Sequence, residues 1–185
     1  PYGHSKLMAE QVLRDCAKGY GFKTVALRYF NACGADSRVR HGQLKAATHV
    51  IARIMETIVN KGVFTLNGTD YPTADGTCIR DYVHIQDVVS AHLLIASRLV
   101  ESKLCGEIFN IGSGIGTSVT ELFNEIKKVS HSNIDPVIAP RRNGDLPRIV
   151  ADIAKLQSWT GWKPTRGLTE IVSSSWDAFE AGQAR

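Results

Sequence analysis

Hydrophobic and polar positions along the chain follow two different periods, and each change of period marks the border of a predicted helix or strand. The first helix is predicted from about Pro1 to Lys18, and Gly19 and Gly21 are expected to end it. Its apolar positions recur at the spacing of three and four that gives a helix one buried face. They are the pairs Met8/Ala9, Val12/Leu13 and Cys16/Ala17.

Nearly continuous apolar and β-branched segments follow, and they are typical of buried parallel strands. Strands are predicted at 23–30, 63–68, 79–83, 107–112 and 136–140. Helices are predicted at 46–60, 88–100, 120–130, 151–161 and 168–182. Asp87 is the expected cap of the third helix, and Ser118 with Glu121 forms a capping box for the fourth. Loops are predicted at 31–43 and 141–148, and this alternation indicates an α/β fold with a largely parallel sheet.

Composition and charge exclude several classes of function. The 185 residues are 43% hydrophobic and 22% charged, which is ordinary for a soluble globular protein. No apolar run approaches the roughly 20 residues that span a membrane, and the net charge of +4 comes without a basic run that would favour nucleic acid. The four cysteines are too widely spaced for a metal site, so we expect reduced thiols in a cytoplasmic protein without a bound metal.

Tyr2 and Lys6 are the first residues whose pairing points to chemistry. They lie four positions apart, so they are neighbours on the first helix, with Lys6 at the edge of the apolar stripe. A nearby ammonium group favours the phenolate form of a tyrosine, and such a tyrosine can take up and return a hydroxyl proton. A chance pair on a helix surface would look the same in isolation.

Four further motifs follow in a fixed order and decide between these interpretations. They are LRYFNACGA, DGTCIRDYVHIQDVVSAH, FNIGSGIGTSV and APRRNGDLPRIVADIAKL. Together with YGHSK they resemble the extended short-chain dehydrogenase/reductase superfamily and, within it, the branch of UDP-glucose (UDP-galactose) 4-epimerases. The resemblance covers essentially the whole chain, which we expect to be the C-terminal part of a longer polypeptide.

The resemblance implies an α/β architecture of two parts. Residues 1–45 would be the C-terminal part of a Rossmann-type NAD-binding domain, and residues 46–185 mainly a smaller α/β substrate-binding domain for a UDP-sugar. It implies NAD as cofactor, a UDP-hexose as substrate and a homodimer for the complete protein. The implied reaction oxidises C4 of the sugar, lets the 4-keto intermediate rotate and reduces it from the other face. The Gly-rich dinucleotide turn would lie upstream, so we expect the 185-residue chain alone to be inactive.

The resemblance also assigns roles to individual residues. Tyr2 would be the catalytic base and Lys6 the residue that binds the nicotinamide ribose and tunes Tyr2. Tyr29 and Phe30 would bind the cofactor, in the segment of the chain that runs past the nicotinamide. The residues implied to hold the substrate are Asn31, His49, Val50, Thr65, Asn67, Arg80, Tyr82, Arg142 and Asp145. Ile149 stands where some relatives carry a bulky tyrosine, and we hypothesise that its smaller side chain leaves room for a 2-acetamido group.

The residue types fit these roles. Arginine presents a planar fork that matches a diphosphate better than lysine does, and a carboxylate such as Asp145 accepts hydrogen bonds from ribose hydroxyls. The Gly-rich segment at 112–116 has the spacing G-x-G-x-G rather than G-x-G-x-x-G, so we interpret it as a tight turn. His84 and His92 are interpreted as structural histidines whose hydrogen bonds are satisfied.

Two alternatives remain open at this point. Within the same superfamily the chain could serve a UDP-glucuronate or UDP-xylose 4-epimerase or a nucleotide-sugar dehydratase. As it stands, the chain could also be a non-catalytic fragment that binds a nucleotide sugar.

Overall fold

Helices and strands alternate along the chain in a computed structural model, which describes residues 1–38, 49–101 and 106–183. The helices are α1 Tyr2–Tyr20, α2 Val50–Val59, α3 Ile85–Glu101, α4 Val119–Ser130, α5 Ala154–Thr160 and α6 Leu168–Gln183. The strands are β1 Val25–Tyr29, β2 Asn31–Cys33, β3 Thr65–Asn67, β4 Ile79–His84, β5 Glu107–Ile111, β6 Gly116–Ser118, β7 Val137–Ala139 and β8 Arg148–Ile149. The predicted α/β fold class is confirmed. The predicted domain border at residue 45 and the predicted start of α2 at residue 46 lie outside the described residues.

Most strand pairs are parallel, as the apolar segments predict. β1 pairs with β5, β2 with β4, β3 with β7 and β8 with β4, all in parallel, while β6 runs antiparallel to β4. Strand β4 is therefore the centre of its sheet and contacts three other strands. Two of its residues, Arg80 and Tyr82, belong to the predicted site, so the most extensively paired strand positions them.

Two hydrophobic cores support the sheets. The first joins β3 and β4 to helices α2, α4 and α6 through Ile51, Ile54, Met55, Phe64, Leu66, Tyr82, Leu122, Phe123, Ile126, Ile171, Val172 and Phe179. The second lies under β5 and α3 and contains Val83, Val88, Ala91, Ile95, Phe109, Ile111, Ala151, Ile153, Leu156 and Trp162. Tyr82 and Val83 are consecutive, so the alternating faces of β4 contribute to both cores.

Three strands lie where the sequence predicts loop or turn. β2 occupies the start of the predicted loop at 31–43, β6 begins at Gly116, the last residue of the Gly-rich segment, and β8 begins at Arg148, the last residue of the predicted loop at 141–148. These predictions were wrong because strands of two or three residues are too short to show a period of two. All three pair with β4, so tertiary hydrogen bonds rather than local propensity form them.

Two predicted helix boundaries also need correction. α3 begins at Ile85, directly after β4, and Asp87 lies within its first turn rather than capping it. The Asp87 side chain is buried and accepts hydrogen bonds from the backbone and side chains of Thr165 and Arg166. α1 continues through Gly19 and ends at Tyr20. Its C-cap is Gly21, which has a left-handed φ of 72° and whose N–H donates to the carbonyl of Ala17. The capping box of Ser118 and Glu121 on α4 is confirmed.

The apolar stripe of α1 is exposed, contrary to the prediction of a buried face. Met8 is 68% exposed and Val12 60%, and Ala17 is the buried residue of this helix. Burial of the stripe is confined to its C-terminal pair, in which Cys16 is half-buried and Ala17 buried. The helix is fastened instead by Glu10, which accepts two hydrogen bonds of 2.7 Å from Arg28 on β1. The hydrogen bond from Arg28 lowers the pKa of Glu10.

Candidate functional site

A cleft of about 250 Å³ opens above the first core. The start of β2, the N-terminus of α2, strands β3 and β4 and the loop after β7 form its walls. The residues that line it include most of the predicted substrate-binding set, namely Asn31, His49, Val50, Thr65, Asn67, Arg80, Tyr82, Arg142 and Asp145. Arg53, Phe64, Leu66, Cys78 and Val119 complete the lining. Residues far apart in sequence therefore meet in one cavity.

Three arginines line the cleft, and two of them, Arg80 and Arg142, belong to the predicted substrate-binding set. Arg80 is held in place by hydrogen bonds from Nη1 to the carbonyls of Ile79 at 2.9 Å and Leu146 at 2.8 Å. Its Nη2 lies 3.6 Å from Oδ1 of Asp145. Arg142 is exposed, and its side chain makes no hydrogen bond or ion pair to another described residue. The cleft thus combines one fixed guanidinium with a second one whose donors face solvent.

The floor of the cleft is held by pairing between β2 and β4. Asn31 lies opposite Tyr82 in the parallel register, and its side-chain amide donates to the carbonyl of Asp81 at 2.9 Å. Tyr82 is 4% exposed, and burial raises the pKa of its phenol above the usual value. The hydroxyl of Tyr82 therefore remains protonated at neutral pH and can serve as a hydrogen-bond donor.

Asp81 is a residue that the sequence analysis missed. Its fully buried carboxylate accepts hydrogen bonds from the backbone N–H of Ser113 at 2.6 Å, of Gly114 at 2.9 Å and of Ala151 at 3.0 Å. The Ser113 hydroxyl adds a fourth bond at 2.7 Å. An acidic residue within the apolar strand CIRDYVH was the available signal, because a buried charge requires such partners.

This arrangement explains the Gly-rich segment. A Cβ at Gly112 would lie 2.6 Å from a carboxylate oxygen of Asp81, so only glycine fits there. The N–H groups of the turn, which in a dinucleotide fingerprint would face a phosphate, are bound to Asp81 here. The geometry agrees with the interpretation of this segment as a tight structural turn.

A second cavity of about 270 Å³ adjoins the cleft and shares Asn31, His49, Val50 and Tyr82 with it. Its remaining lining is mainly apolar and comes from β2, α2 and α6. Cys33 lies in this cavity, and burial raises the pKa of its thiol to about 12. The thiol is therefore protonated at neutral pH and is no activated nucleophile.

The predicted cofactor-binding residues lie outside the cleft. Tyr2 is 77% exposed at the start of α1, and the ammonium nitrogen of Lys6 lies 5.4 Å from the centroid of its ring. The predicted pairing of these two side chains is present in the structure. Phe30 connects β1 to β2, and its N–H donates to the carbonyl of Ile111 at 3.0 Å.

Tyr29 and His92 form a second pair at the end of β1. The Tyr29 hydroxyl lies 2.6 Å from Nε2 of His92, and the two rings are stacked with centroids 5.5 Å apart. Nδ1 of His92 lies 2.8 Å from the carbonyl of Val88 and must donate to it, so Nε2 accepts the proton of Tyr29. The hydrogen bonds of His92 are satisfied, as the sequence analysis expects.

His84 and Ile149 have different positions relative to the cleft. His84 is buried, accepts from the N–H of Gln86 at 3.1 Å and lies 3.1 Å from the Ser174 hydroxyl, so it is a satisfied structural histidine. Ile149 pairs with Arg80 across β8 and β4 and is 37% exposed, but it does not line the cleft.

Neither a membrane span nor a metal centre is found in the described part of the chain. None of the described helices is long and apolar enough to cross a bilayer. Within 1–38, 49–101 and 106–183, no group of three or more histidine, cysteine or acidic side chains could hold a metal ion.

Comparison with known proteins gives the cleft its context. Residues 1–112 match the model of the NAD dependent epimerase/dehydratase family. The chain belongs to this family. Among curated relatives it is 41% identical over 182 residues to the UDP-glucose 4-epimerase of Azospirillum brasilense and 37% identical over 179 residues to that of Lactobacillus helveticus. The match to the Azospirillum protein covers 96% of this chain and 52% of that protein, and the match to the Lactobacillus protein covers 95% and 54%, respectively.

Solved structures of epimerases share the fold. The UDP-glucose 4-epimerase of Brucella ovis in complex with NAD superposes with a TM-score of 0.89 at 38% identity, over 97% of this chain and 56% of that one. The UDP-Glc/GlcNAc 4-epimerase of Campylobacter jejuni superposes with a TM-score of 0.80 at 40% identity, over 98% of this chain and 56% of that one. The chain thus spans about half the length of its epimerase relatives, and its similarity to UDP-glucose 4-epimerases agrees with the resemblance seen in the sequence.

Proposed function

We propose that this chain carries the substrate-binding part of an NAD-dependent 4-epimerase that interconverts UDP-galactose and UDP-glucose. The observation that carries the proposal is the cleft in which Arg80, Arg142 and Asp145 converge with strand β3. Two guanidinium groups and a carboxylate side by side match a nucleoside diphosphate better than they match a neutral ligand. The named epimerase relatives support the same substrate class.

Each part of the cleft corresponds to a part of a UDP-sugar. Arg80 and Arg142 would hold the diphosphate, and the fixed Nη1 of Arg80 leaves its other donors for the ligand. Asp145, which is partly exposed beside Arg80, would accept hydrogen bonds from the ribose hydroxyls. Strand β3, with Thr65 and Asn67, would contact the uracil base, because its backbone and side-chain amides supply both donors and acceptors.

The residues outside the cleft fit the nicotinamide end of NAD. Tyr29 and Phe30 follow the carboxyl end of a parallel strand, which is where ligands bind in open α/β sheets. Tyr2 and Lys6 present a hydroxyl and an ammonium group from one helix face, as binding of a ribose and proton exchange both require. When bound, NAD would supply the hydride acceptor and donor for C4 of the sugar.

The chain's own residues would perform the proton chemistry. Tyr2 would take the proton of the 4-hydroxyl as C4 is oxidised and return it on reduction. The ammonium group of Lys6 lies 5.4 Å from the ring centroid of Tyr2 and would bind the nicotinamide ribose beside it. Arg80 and Arg142 would retain the diphosphate while the 4-keto sugar rotates, because they bind the part of the substrate that does not react.

The test uses the polypeptide at its full natural length, incubated with UDP-galactose, UDP-xylose or UDP-glucuronate, with products separated by chromatography. We expect the unmodified protein to convert UDP-galactose to UDP-glucose. This activity should be lost in Tyr2→Phe and kept in Tyr20→Phe. Tyr20 is a matched control because it lies on the same helix and is equally exposed, at 81%. Binding of UDP without conversion of any sugar would favour a dehydratase or a binding protein instead.

A second candidate substrate is a UDP-N-acetylhexosamine. Ile149 does not line the cleft, but it pairs with the cleft residue Arg80 across β8 and β4 and is partly exposed. A similar structure is a UDP-Glc/GlcNAc 4-epimerase. We therefore expect turnover of UDP-N-acetylgalactosamine, and we expect Ile149→Tyr to reduce it while sparing UDP-galactose. Good activity on UDP-galactose with none on either N-acetylated sugar in the unmodified protein would contradict this candidate.

The 185-residue chain by itself is proposed to be inactive. It contains no G-x-G-x-x-G sequence, and its own Gly-rich turn is bound to Asp81. Purification of this chain with stoichiometric NAD, together with turnover of UDP-galactose, would contradict the proposal.

A further inference from the structure

Arg141, which directly precedes Arg142, makes a set of contacts outside the cleft. Its Nε donates to Oδ1 of Asp70 at 2.6 Å, and its Nη2 donates to the backbone carbonyl of the same residue. Its guanidinium carbon also lies 4.3 Å from the centroid of the Tyr71 ring, within the range of a cation–π contact. We call Asp70, Tyr71 and Arg141 the Arg141 clamp.

The clamp is tightly packed at the end of β3. Tyr71 is 4% exposed. A Cβ built at Gly68 would lie 2.6 Å from Cε2 of Tyr71 and 2.7 Å from Cγ of Arg141. Gly68 has a φ of 79°, and its N–H donates to the carbonyl of Ala139 at 2.8 Å. Strands β3 and β7 are thus joined up to Gly68, and the clamp continues their connection beyond the last backbone pair.

The clamp fixes the segment that supplies two residues to the cleft. Arg142 follows Arg141 directly, and the N–H of Asp145 donates to the carbonyl of Arg142 at 3.3 Å, which closes a turn. The side chain of Arg142 makes no hydrogen bond or ion pair within the described parts of the chain. Its position therefore depends on its backbone, and the nearest side-chain anchor of that backbone is Arg141.

We propose that Arg141 is a positioning residue of the nucleotide cleft, which acts by holding the backbone of Arg142 and Asp145 against the end of β3. This inference rests on the proposed function, because it takes the cleft to bind a uridine diphosphate. Arg141 does not line the cleft, so its effect on the ligand passes through Arg142 and Asp145.

The contacts indicate which property of Arg141 matters. The ion pair with Asp70 is open to solvent, with side chains 40% and 74% exposed, and such pairs contribute little. The stacking on Tyr71 and the bond to the carbonyl of Asp70 require a planar group with several donors. Lysine retains the charge but cannot make both contacts in this geometry. Asp70→Asn, which keeps the carbonyl, is expected to have only a small effect.

The experiment measures the dissociation constant of UDP by calorimetry on the natural-length polypeptide. Arg141→Gln is expected to weaken UDP binding by about three- to tenfold, and Arg141→Lys to restore only part of it. Lys155→Gln is the matched control, since Lys155 also contacts an acidic side chain, a backbone carbonyl and an aromatic ring, remote from the cleft. It should leave the dissociation constant unchanged. Melting temperatures of all variants exclude unfolding as the cause.

A double-mutant comparison decides whether Arg141 acts through Arg142. In an Arg142→Gln background, Arg141→Gln is expected to weaken UDP binding by a smaller factor than in the unmodified protein, because only the part that acts through Asp145 remains. Equal losses in both backgrounds, full restoration by lysine, or unchanged affinity in Arg141→Gln would each overturn the inference while leaving the proposed function intact. If the unmodified polypeptide does not bind UDP, the proposed function itself fails and the inference fails with it.

Discussion

At the scale of single residues, buried polar groups hold the cleft in place more than the residues that line it do. Asp81 has no exposed surface and binds four donors from two separate segments. Its neighbours in sequence, Arg80 and Tyr82, line the cleft. A strand that alternates between a structural anchor and residues lining the cleft therefore holds the cleft and the Gly-rich turn in one arrangement.

Replacement of Asp81 by asparagine tests this anchoring role. Oδ2 of Asp81 accepts from the N–H of Gly114 and of Ala151, and an amide group at that position would present donors to donors. We expect Asp81→Asn to reduce the free energy of unfolding by about 2–3 kcal/mol, as measured by urea denaturation. Asp135→Asn is the control, since Asp135 is 86% exposed in a surface ion pair, and it should change stability little. Equal, small effects of both substitutions would contradict the anchoring role.

The sequence indicated which residues would line the cleft better than it indicated the residues that support them. Arg80, Arg142 and Asp145 were assigned through a resemblance to a family, and the structure brings them into one cleft. Asp81 and Arg141 were missed, because their partners lie 32 and 71 positions away along the chain. No local period or motif indicates which distant backbone groups a buried carboxylate or a stacked guanidinium will meet.

At the scale of elements, prediction succeeded where the residues of the element itself carry a capping motif or a clear hydrophobic period. α4 has a capping box and a clear apolar face, and its predicted start at about residue 120 agrees with the observed Val119–Ser130. β8 has two residues, and only its pairing with β4 defines it. The apolar stripe of α1 was predicted correctly from the sequence. Its burial was not, because burial depends on which other element packs against the stripe, and the spacing of apolar residues does not indicate this.

The junction of β4 with α3 and α6 should respond to pH. His84 lies there, and burial lowers its pKa below the usual 6.5, with Arg166 acting in the same direction and Asp87 and Glu170 opposing. The unfolded chain therefore binds a proton more readily than the folded one as the pH falls below about 6.5. Stability contributed by neutral His84 is present above that pH and is lost below it.

The corresponding measurement is the urea midpoint between pH 7.5 and 5.5. His84→Gln should flatten the decline of stability at the acidic end, although its absolute stability should be lower because two hydrogen bonds change. His4→Gln, which alters an exposed histidine of α1, should keep the slope of the unmodified chain. If His84→Gln also keeps that slope, His84 does not titrate in the manner proposed.

At the scale of the whole molecule, the described chain divides into two well-packed cores and one helix with little burial. Two methionines sample these environments, since Met55 is 1% exposed in the first core and Met8 is 68% exposed on α1. The same substitution at both positions therefore compares packing directly. Met55→Ala should reduce the free energy of unfolding of the 185-residue chain by about 2–5 kcal/mol.

Met8→Ala should change it by less than about 0.5 kcal/mol, because little apolar surface is buried there. Both values come from urea denaturation followed by circular dichroism. A loss at Met8 comparable to that at Met55 would mean that the α1 stripe is covered in solution, for instance by a second copy of the chain. In that case the loss should shrink as the protein concentration is lowered, because dilution favours the separated copies. A loss independent of concentration would place the covering surface within the same chain.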